Sequence, residues 1–192
     1  MKIETLEIAG LAGALKALRL PFGKEMRSKA YTIHNRNGQV SDEEGTWFLS
    51  EYGADIQIHP DDLKLMKRLI INGDEHAKVM RGIMVWAEIE APIWFYREVE
   101  TYRIGRERLA SESTMHIECR GLKGEELEKA KDEIPMGHIQ KTVDVFSYQT
   151  LRRIYFQRRN HRLPMWHNFC HWIETLPYAE ELIICENKDA DN

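Results

Sequence analysis

Four prolines cut this chain into short elements. Pro21, Pro60, Pro92 and Pro164 each stand at the edge of an apolar stretch. Proline lacks a backbone N–H and has a fixed φ, so it stops a helix or occupies its first turn but does not sit comfortably inside one. Leucines and alanines at helical spacing over 6–20 predict a helix that Pro21 stops. Pro60 opens a second helix with Leu63, Leu65, Met66, Leu69 and Ile70 as apolar members, and Gly73 stands where a helix-closing glycine belongs. Residues 83–90 read as a partly alternating strand. Pro92 then starts a helix on which Phe95, Val99 and Tyr102 recur at i, i+4 and i+7 and face the core. Pro164 opens a last helix to about residue 176.

The stretches between carry weaker signals. Asn35-Arg36-Asn37-Gly38 is a turn signal between two strand-like runs in 28–58. Residues 111–119 read as a strand, 120–138 as a charged segment with a short surface helix, and 143–160 as a helix. The polar tail from Glu186 to residue 192 is expected to fray. There is no internal repeat. Strands mixed with helices predict an α+β architecture, and 192 residues suit one domain, taken here as 1–185.

Composition excludes several classes. No apolar run approaches the roughly 20 residues that span a bilayer, and no basic-then-apolar leader opens the chain, so the expected location is cytoplasmic. The three cysteines, Cys119, Cys170 and Cys185, form no Cys-x-x-Cys and suit a reducing compartment. A net charge of −4 counts against general nucleic-acid binding. Basic residues cluster at 97–108 and 152–162, which points to a local anion site.

Three constellations carry possible chemistry. On the helix of 143–160, Arg158 continues the stripe of Leu151, Ile154 and Tyr155. An unpaired buried guanidinium is costly, so Arg158 requires a carboxylate, an anionic ligand or a path to solvent. Its planar fork matches a phosphate or carboxylate with two parallel hydrogen bonds. Second, Arg97, Arg103, Arg106 and Arg108, followed by Ser111 and Ser113, form a phosphate cradle or, with the interleaved Glu98, Glu100, Glu107 and Glu112, a solvated salt-bridge surface. Third, His167 and His171 sit four apart beside Cys170, a spacing that binds metal from one helix face. No third ligand accompanies them and the motif His-Glu-x-x-His is missing, so core or surface histidines are the expectation and no metal is assigned. Dinucleotide and P-loop glycine motifs and the Gly-x-Ser-x-Gly elbow are also missing, and Cys119 has no activating partner.

Three stretches, in order and covering about half of the chain, resemble the flavin-dependent thymidylate synthases. Arg68-Leu-Ile-Ile-Asn-Gly73-Asp-Glu75-His76 is similar to the helix, glycine and Glu/His loop before the family's central strand. Trp86-Ala-Glu-Ile-Glu-Ala-Pro-Ile93 resembles that strand and the helix start after it, and Tyr102-Arg103-Ile104-Gly105 falls at the end of the family's Arg-His-Arg signature. Thr150-Leu-Arg-Arg-Ile-Tyr-Phe-Gln-Arg158 resembles the C-terminal arginine helix, whose last arginine contacts the nucleotide.

The resemblance implies a shortened, divergent member of that family. It implies a central, mostly antiparallel sheet flanked by helices, non-covalently bound FAD reduced by NADPH, and methylation of dUMP to dTMP with methylenetetrahydrofolate. It implies a homotetramer with sites at subunit junctions. Arg158 takes the catalytic and nucleotide-binding role. Arg103, Arg106 and Arg108 hold flavin phosphates or the nucleotide, Ser111 or Ser113 donates to the nucleotide phosphate, and His76, Tyr102 and Arg153 lie against the flavin. Two registers stay open. In one, Thr101 and Tyr102 replace the signature's first arginine and histidine, and Arg103 is kept. In the other, Arg106-Glu107-Arg108 carries the signature and Ser111 its serine. Gln149 and Arg153 replace flavin contacts of other types, and Met115 and His116 stand where an arginine is expected. A related nucleotide-modifying enzyme and a catalytically silent nucleotide- or nucleic-acid-binding module, with Trp94 and Tyr96 for stacking, are the competing functions.

Overall fold

The computed structural model describes residues 1–25 and 58–186, and between them the backbone of four short strands. In chain order the elements are strand β1 (Lys2–Ala9), helix α1 (Leu11–Arg19), short strands β2 (Lys29–Ala30), β3 (Gln39–Ser41), β4 (Trp47–Leu49) and β5 (Ile56–Gln57), helix α2 (Pro60–Ile71), strand β6 (Met84–Pro92), helix α3 (Ile93–Val99), strand β7 (Arg106–Ser111), helix α4 (Gly124–Asp132), strand β8 (Ile139–Ser147) and helices α5 (Tyr148–Arg158) and α6 (Pro164–Glu174). The four long strands form one antiparallel sheet in the order β1-β6-β8-β7. The short strands pair as β2 with β5 and β3 with β4. This is the α+β architecture expected. The Asn35–Gly38 turn and the tail beyond Glu186 lie outside the described residues.

The sheet's inner face follows from a period of two. Val85, Ala87, Ile89 and Ala91 alternate along β6 and are buried. Opposite them on β8 stand Phe146, Asp144, Thr142 and Gln140. On β7, Arg106 faces Phe146, Arg108 faces Asp144 and Ser111 faces Thr142. Directly paired residues share a face. The inner face is thus apolar over β6 and turns polar and charged at the β8–β7 edge.

Four expectations shift. The helix expected over 6–20 begins only at Leu11, because 2–9 alternate and pair with β6, with Thr5 opposite Ala87 and Ile8 opposite Val85. Gly10 makes the corner at φ 94°, where an added Cβ would lie 1.8 Å from the Gly82 carbonyl oxygen, so only glycine fits. The helix expected over 143–160 begins at Tyr148. Residues 139–147 belong to the sheet, and Ser147 ends the strand by capping α5, its Oγ accepting from the Thr150 N–H at 3.2 Å. The strand expected over 111–119 is instead the end of β7 followed by a tight turn, in which the His116 and Ile117 N–H groups donate to the Ser113 carbonyl. The helices expected from Pro60 and Pro164 and a surface helix within 120–138 form, with a further helical turn at Ala179–Ile183 after the helix from Pro164; the helix after Pro92 runs only Ile93–Val99, so Phe95 and Val99 are buried on it while Tyr102 lies in the loop beyond.

Helices α5 and α6 cover the apolar part of the inner face. Leu151 and Ile154 of α5 are fully buried. Phe95, Phe146, Trp166, Phe169 and Trp172 interlock with ring centroids 4.8–6.1 Å apart. Each such ring contributes its burial plus about 0.5–1.5 kcal/mol per well-oriented pair. That cluster fixes the two helices against the charged edge.

Candidate functional site

The site residues fall into three clusters. In the first, Arg158 ends α5 and its guanidinium lies over the Trp166 ring, 4.5 Å from its centroid. Its Nε donates to the Tyr102 hydroxyl at 2.8 Å, and its Nη1 stands 3.8 Å from Glu98 Oε2. Glu98 also accepts from the Trp166 Nε1–H at 2.7 Å, and Tyr102 donates to Gln157 Oε1 at 2.9 Å. The carboxylate that Arg158 requires is therefore Glu98, from the last turn of α3. The guanidinium remains 20 % exposed, which leaves an edge to solvent. A guanidinium held by a ring, a hydroxyl and a carboxylate loses little further freedom on meeting a ligand.

The second cluster lies on the β7–β8 edge. Asp144 is fully buried in the sheet. Its Oδ1 accepts from Arg106 Nη2 and lies 3.8 Å from Arg108 Nε, while its Oδ2 accepts from the Thr142 hydroxyl. Arg106 keeps only 5 % exposure and packs over Phe146 at 5.8 Å. Burial lowers its pKa, Asp144 opposes that, and Arg108 beside it adds to it. Arg108 stacks over Tyr96 at 4.9 Å and donates to Glu100 Oε1 at 2.8 Å. Even so, Arg106 Nε and Arg108 Nε and Nη2 are buried without a hydrogen-bond partner among the described residues. Each orphaned donor costs about 1–3 kcal/mol. A cavity of about 330 Å³ opens here, lined by Glu100, Arg103, Arg106, Glu107 and Arg108. Arg103 is exposed on its rim, and Ser111 is exposed at the end of β7.

The third cluster surrounds the start of α5. Gln149 is buried, accepts from Arg81 Nε at 2.8 Å and reaches the Asp74 carbonyl at 3.4 Å. Arg153 Nε lies 3.5 Å from Asp74 Oδ2, an ion pair without hydrogen-bond geometry, so this N–H is also orphaned. His76 is exposed in the same loop, 3.6 Å from Glu75.

Local packing ties the clusters together. The end of α3 supplies both Glu98 to Arg158 and Glu100 to Arg108. The following loop docks on the start of α5, where the Thr150 hydroxyl donates to the Ile104 carbonyl at 2.6 Å and the Ser147 N–H to the Gly105 carbonyl at 2.7 Å. Gly105 has φ 78°, and an added Cβ would lie 2.4 Å from Thr150 Oγ1. Ser113 opens the turn after β7 through its backbone carbonyl. His167 and His171 are exposed, turned to the His161 carbonyl and to Glu174. Among the described residues no three His, Cys, Asp or Glu side chains are grouped as metal ligands, and no helix is long and apolar enough to cross a membrane.

A helix over 143–160 hides Asp144, and Thr142 just before it is given no role. The alternation Thr142-Val143-Asp144-Val145-Phe146 was the signal that finds them. Arg81, to which the sequence reading gives no role, lies in the short helical turn Lys78–Gly82.

The α+β architecture is shared with solved structures. The solved structures that share it include the flavin-dependent thymidylate synthase ThyX from Helicobacter pylori complexed with FAD and dUMP, with a TM-score of 0.64 at 13 % identity over 96 % of this chain and 98 % of that one. A second structure of ThyX from Helicobacter pylori with FAD and dUMP matches at a TM-score of 0.64 and 12 % identity over the same shares. No protein-family model matches the chain, and no curated protein matches it in sequence.

Proposed function

We propose that this chain binds a pyrimidine nucleotide together with FAD and modifies the base, with methylation of dUMP to dTMP as the leading reaction. One observation carries the reading. Orphaned N–H donors sit on Arg106, Arg108 and Arg153, at positions assigned to phosphate and flavin contacts, in a fold whose solved relatives were crystallised with FAD and dUMP. Guanidinium donors without acceptors fit phosphoryl oxygens, which accept several hydrogen bonds at one place.

In this reading Arg106, Arg108 and Arg103 hold phosphates from the β7 edge, with Ser111 or Ser113 as a hydroxyl donor. His76, Arg153 and Tyr102 lie against the flavin. The exposed edge of Arg158 contacts the nucleotide base or its phosphate, and its positive charge stabilises negative charge that develops on the base. When bound, FAD reduced by NADPH supplies the hydride, and methylenetetrahydrofolate supplies the one-carbon unit. No activated cysteine enters, in keeping with Cys119 and Cys170 being buried. A cytoplasmic homotetramer with sites shared between subunits belongs to the same reading.

The test is a product assay with dUMP and dCMP side by side, supplied with FAD, NADPH and methylenetetrahydrofolate. Methylated dUMP supports the leading reaction, and turnover of dCMP alone moves the substrate to a neighbouring pyrimidine. The second reading, a nucleotide-binding module without chemistry, draws on the internal pairing of Arg158 with Glu98, Arg108 with Glu100 and Arg106 with Asp144. Nucleotide binding with no product in either assay selects it.

A further inference from the structure

The charged edge of the inner sheet face holds more order than a phosphate cradle requires. Arg106 and Arg108 stand two apart on β7 and share a face, so their Cα atoms lie roughly 7 Å apart. Asp144 Oδ1 accepts from Arg106 Nη2 and lies 3.8 Å from Arg108 Nε. Thr142 fixes the other carboxylate oxygen, Glu100 fixes Arg108 Nη1, and the Tyr96 and Phe146 rings back the two guanidinium planes. What remains is three buried N–H donors: Nε of Arg106 and Nε and Nη2 of Arg108. The two side chains that carry them line the 330 Å³ cavity. The carboxylates around them leave these three donors without an acceptor among the described residues.

We propose that Asp144 is a positioning residue, holding Arg106 and Arg108 as a two-guanidinium pocket for one oxoanion, the phosphoryl group of a nucleotide or of its cofactor. The assignment rests on the nucleotide-binding reading above and adds to it a residue that does not itself touch the ligand. Asp144 sets the direction of both forks from below, and the oxoanion completes their hydrogen bonds from the cavity side. The surrounding charge is balanced, with Arg103, Arg106 and Arg108 against Glu100, Glu107 and Asp144. Affinity in such a pocket comes from aligned donors more than from excess charge.

Balance and alignment make opposite predictions for Asp144→Asn. If Asp144 is only a counter-charge, its loss leaves the pocket more positive and anions bind equally or more tightly. If it positions the forks, anions bind more weakly although a negative charge has gone. The experiment is calorimetric titration of the full chain with pyrophosphate, inorganic phosphate, dUMP and FAD, on wild type, Asp144→Asn, Thr142→Val and Arg108→Lys, with circular dichroism to check folding. The expected result is that pyrophosphate binds wild type and weakens roughly tenfold or more in Asp144→Asn and Arg108→Lys. Thr142→Val keeps the charge and frees one carboxylate oxygen. It is expected to weaken binding about threefold, and it carries the test if Asp144→Asn does not fold. Unchanged or tighter binding in Asp144→Asn, or no change in Thr142→Val when Asp144→Asn is unfolded, overturns the proposal.

The arms separate this proposal from the functional reading. FAD or dUMP bound equally by wild type and all three variants overturns the pocket and leaves the function standing. Pyrophosphate binding that depends on Asp144, without FAD or dUMP binding, supports the pocket and overturns the function. Inorganic phosphate bound as tightly as dUMP identifies a free-anion pocket with the same positioning residue. No binding of any of the four to wild type overturns both.

Discussion

Arg158 Nε donates a 2.8 Å hydrogen bond to the Tyr102 hydroxyl across 56 residues of sequence. Both residues meet over Trp166, whose ring lies 4.5 Å below the guanidinium and 6.1 Å from the Tyr102 ring. The joint fastens the end of α5 to the loop after α3. Tyr102→Phe removes the hydroxyl and keeps the ring, so it is expected to destabilise the fold by about 1 kcal/mol. Trp166→Ala removes a fully buried ring and is expected to cost about 3–5 kcal/mol. Urea denaturation of the two variants checks the order, and equal losses would mean that the ring does not organise the joint.

Arg158→Lys is expected to fail as a substitute for arginine in nucleotide binding. A lysine ammonium carries the charge but has no planar fork to lie over Trp166 while donating to Tyr102. Fluorescence titration with dUMP is predicted to show both Arg158→Ala and Arg158→Lys weakened roughly tenfold or more. Affinity retained in the alanine variant would remove Arg158 from the site.

Gly105→Ala places a methyl group against Thr150 Oγ1 and Ser147 Oγ, 2.4 and 2.5 Å away, at φ 78°. The cost is expected to exceed about 1 kcal/mol, since an L residue here is both strained and crowded. Thermal melts report the loss. The change also pushes the loop off α5, so Tyr102 and Arg158 are expected to separate, read as increased exposure of Trp166 in its emission spectrum.

Stability is expected to fall on the alkaline side. Burial, with Glu174 adding to it, raises the Cys170 thiol to about 11, and burial with Asp144 raises the Tyr96 hydroxyl to about 12. Both groups are buried neutral, so the folded state holds its protons more tightly than the unfolded chain. That advantage is present in full below the unfolded values, 9.0 for cysteine and 10.0 for tyrosine, and is lost as pH climbs through them towards about 11 and 12. Melting temperature plotted from pH 7 to 11 checks the sign. A curve that rises above pH 9 would contradict it.

The sequence was most legible where proline set a boundary. Pro60, Pro92 and Pro164 each mark a helix start, and alternation marked β6. It was least legible where two periods compete. Residues 139–147 carry the alternation of a strand but run straight into a helix, and a charged residue such as Asp144 is rare at the inward position of a buried strand. What makes that position tolerable is Arg106 and Arg108, some forty residues earlier and brought opposite by register alone. The same holds for Arg158. Its spacing showed that it needed a partner, but Glu98 lies on another helix and no periodicity points to it. Side chains that compensate one another across elements are invisible to a local pattern, and the candidate site is built from such pairs.

Flavin binding by this chain, as proposed, is read directly by visible absorption. Purified protein is saturated with FAD, dialysed exhaustively and scanned. Wild-type protein is expected to retain a flavin spectrum, reduced in Arg153→Ala, whose orphaned guanidinium N–H is proposed to meet the cofactor. A colourless wild-type protein after dialysis would contradict it.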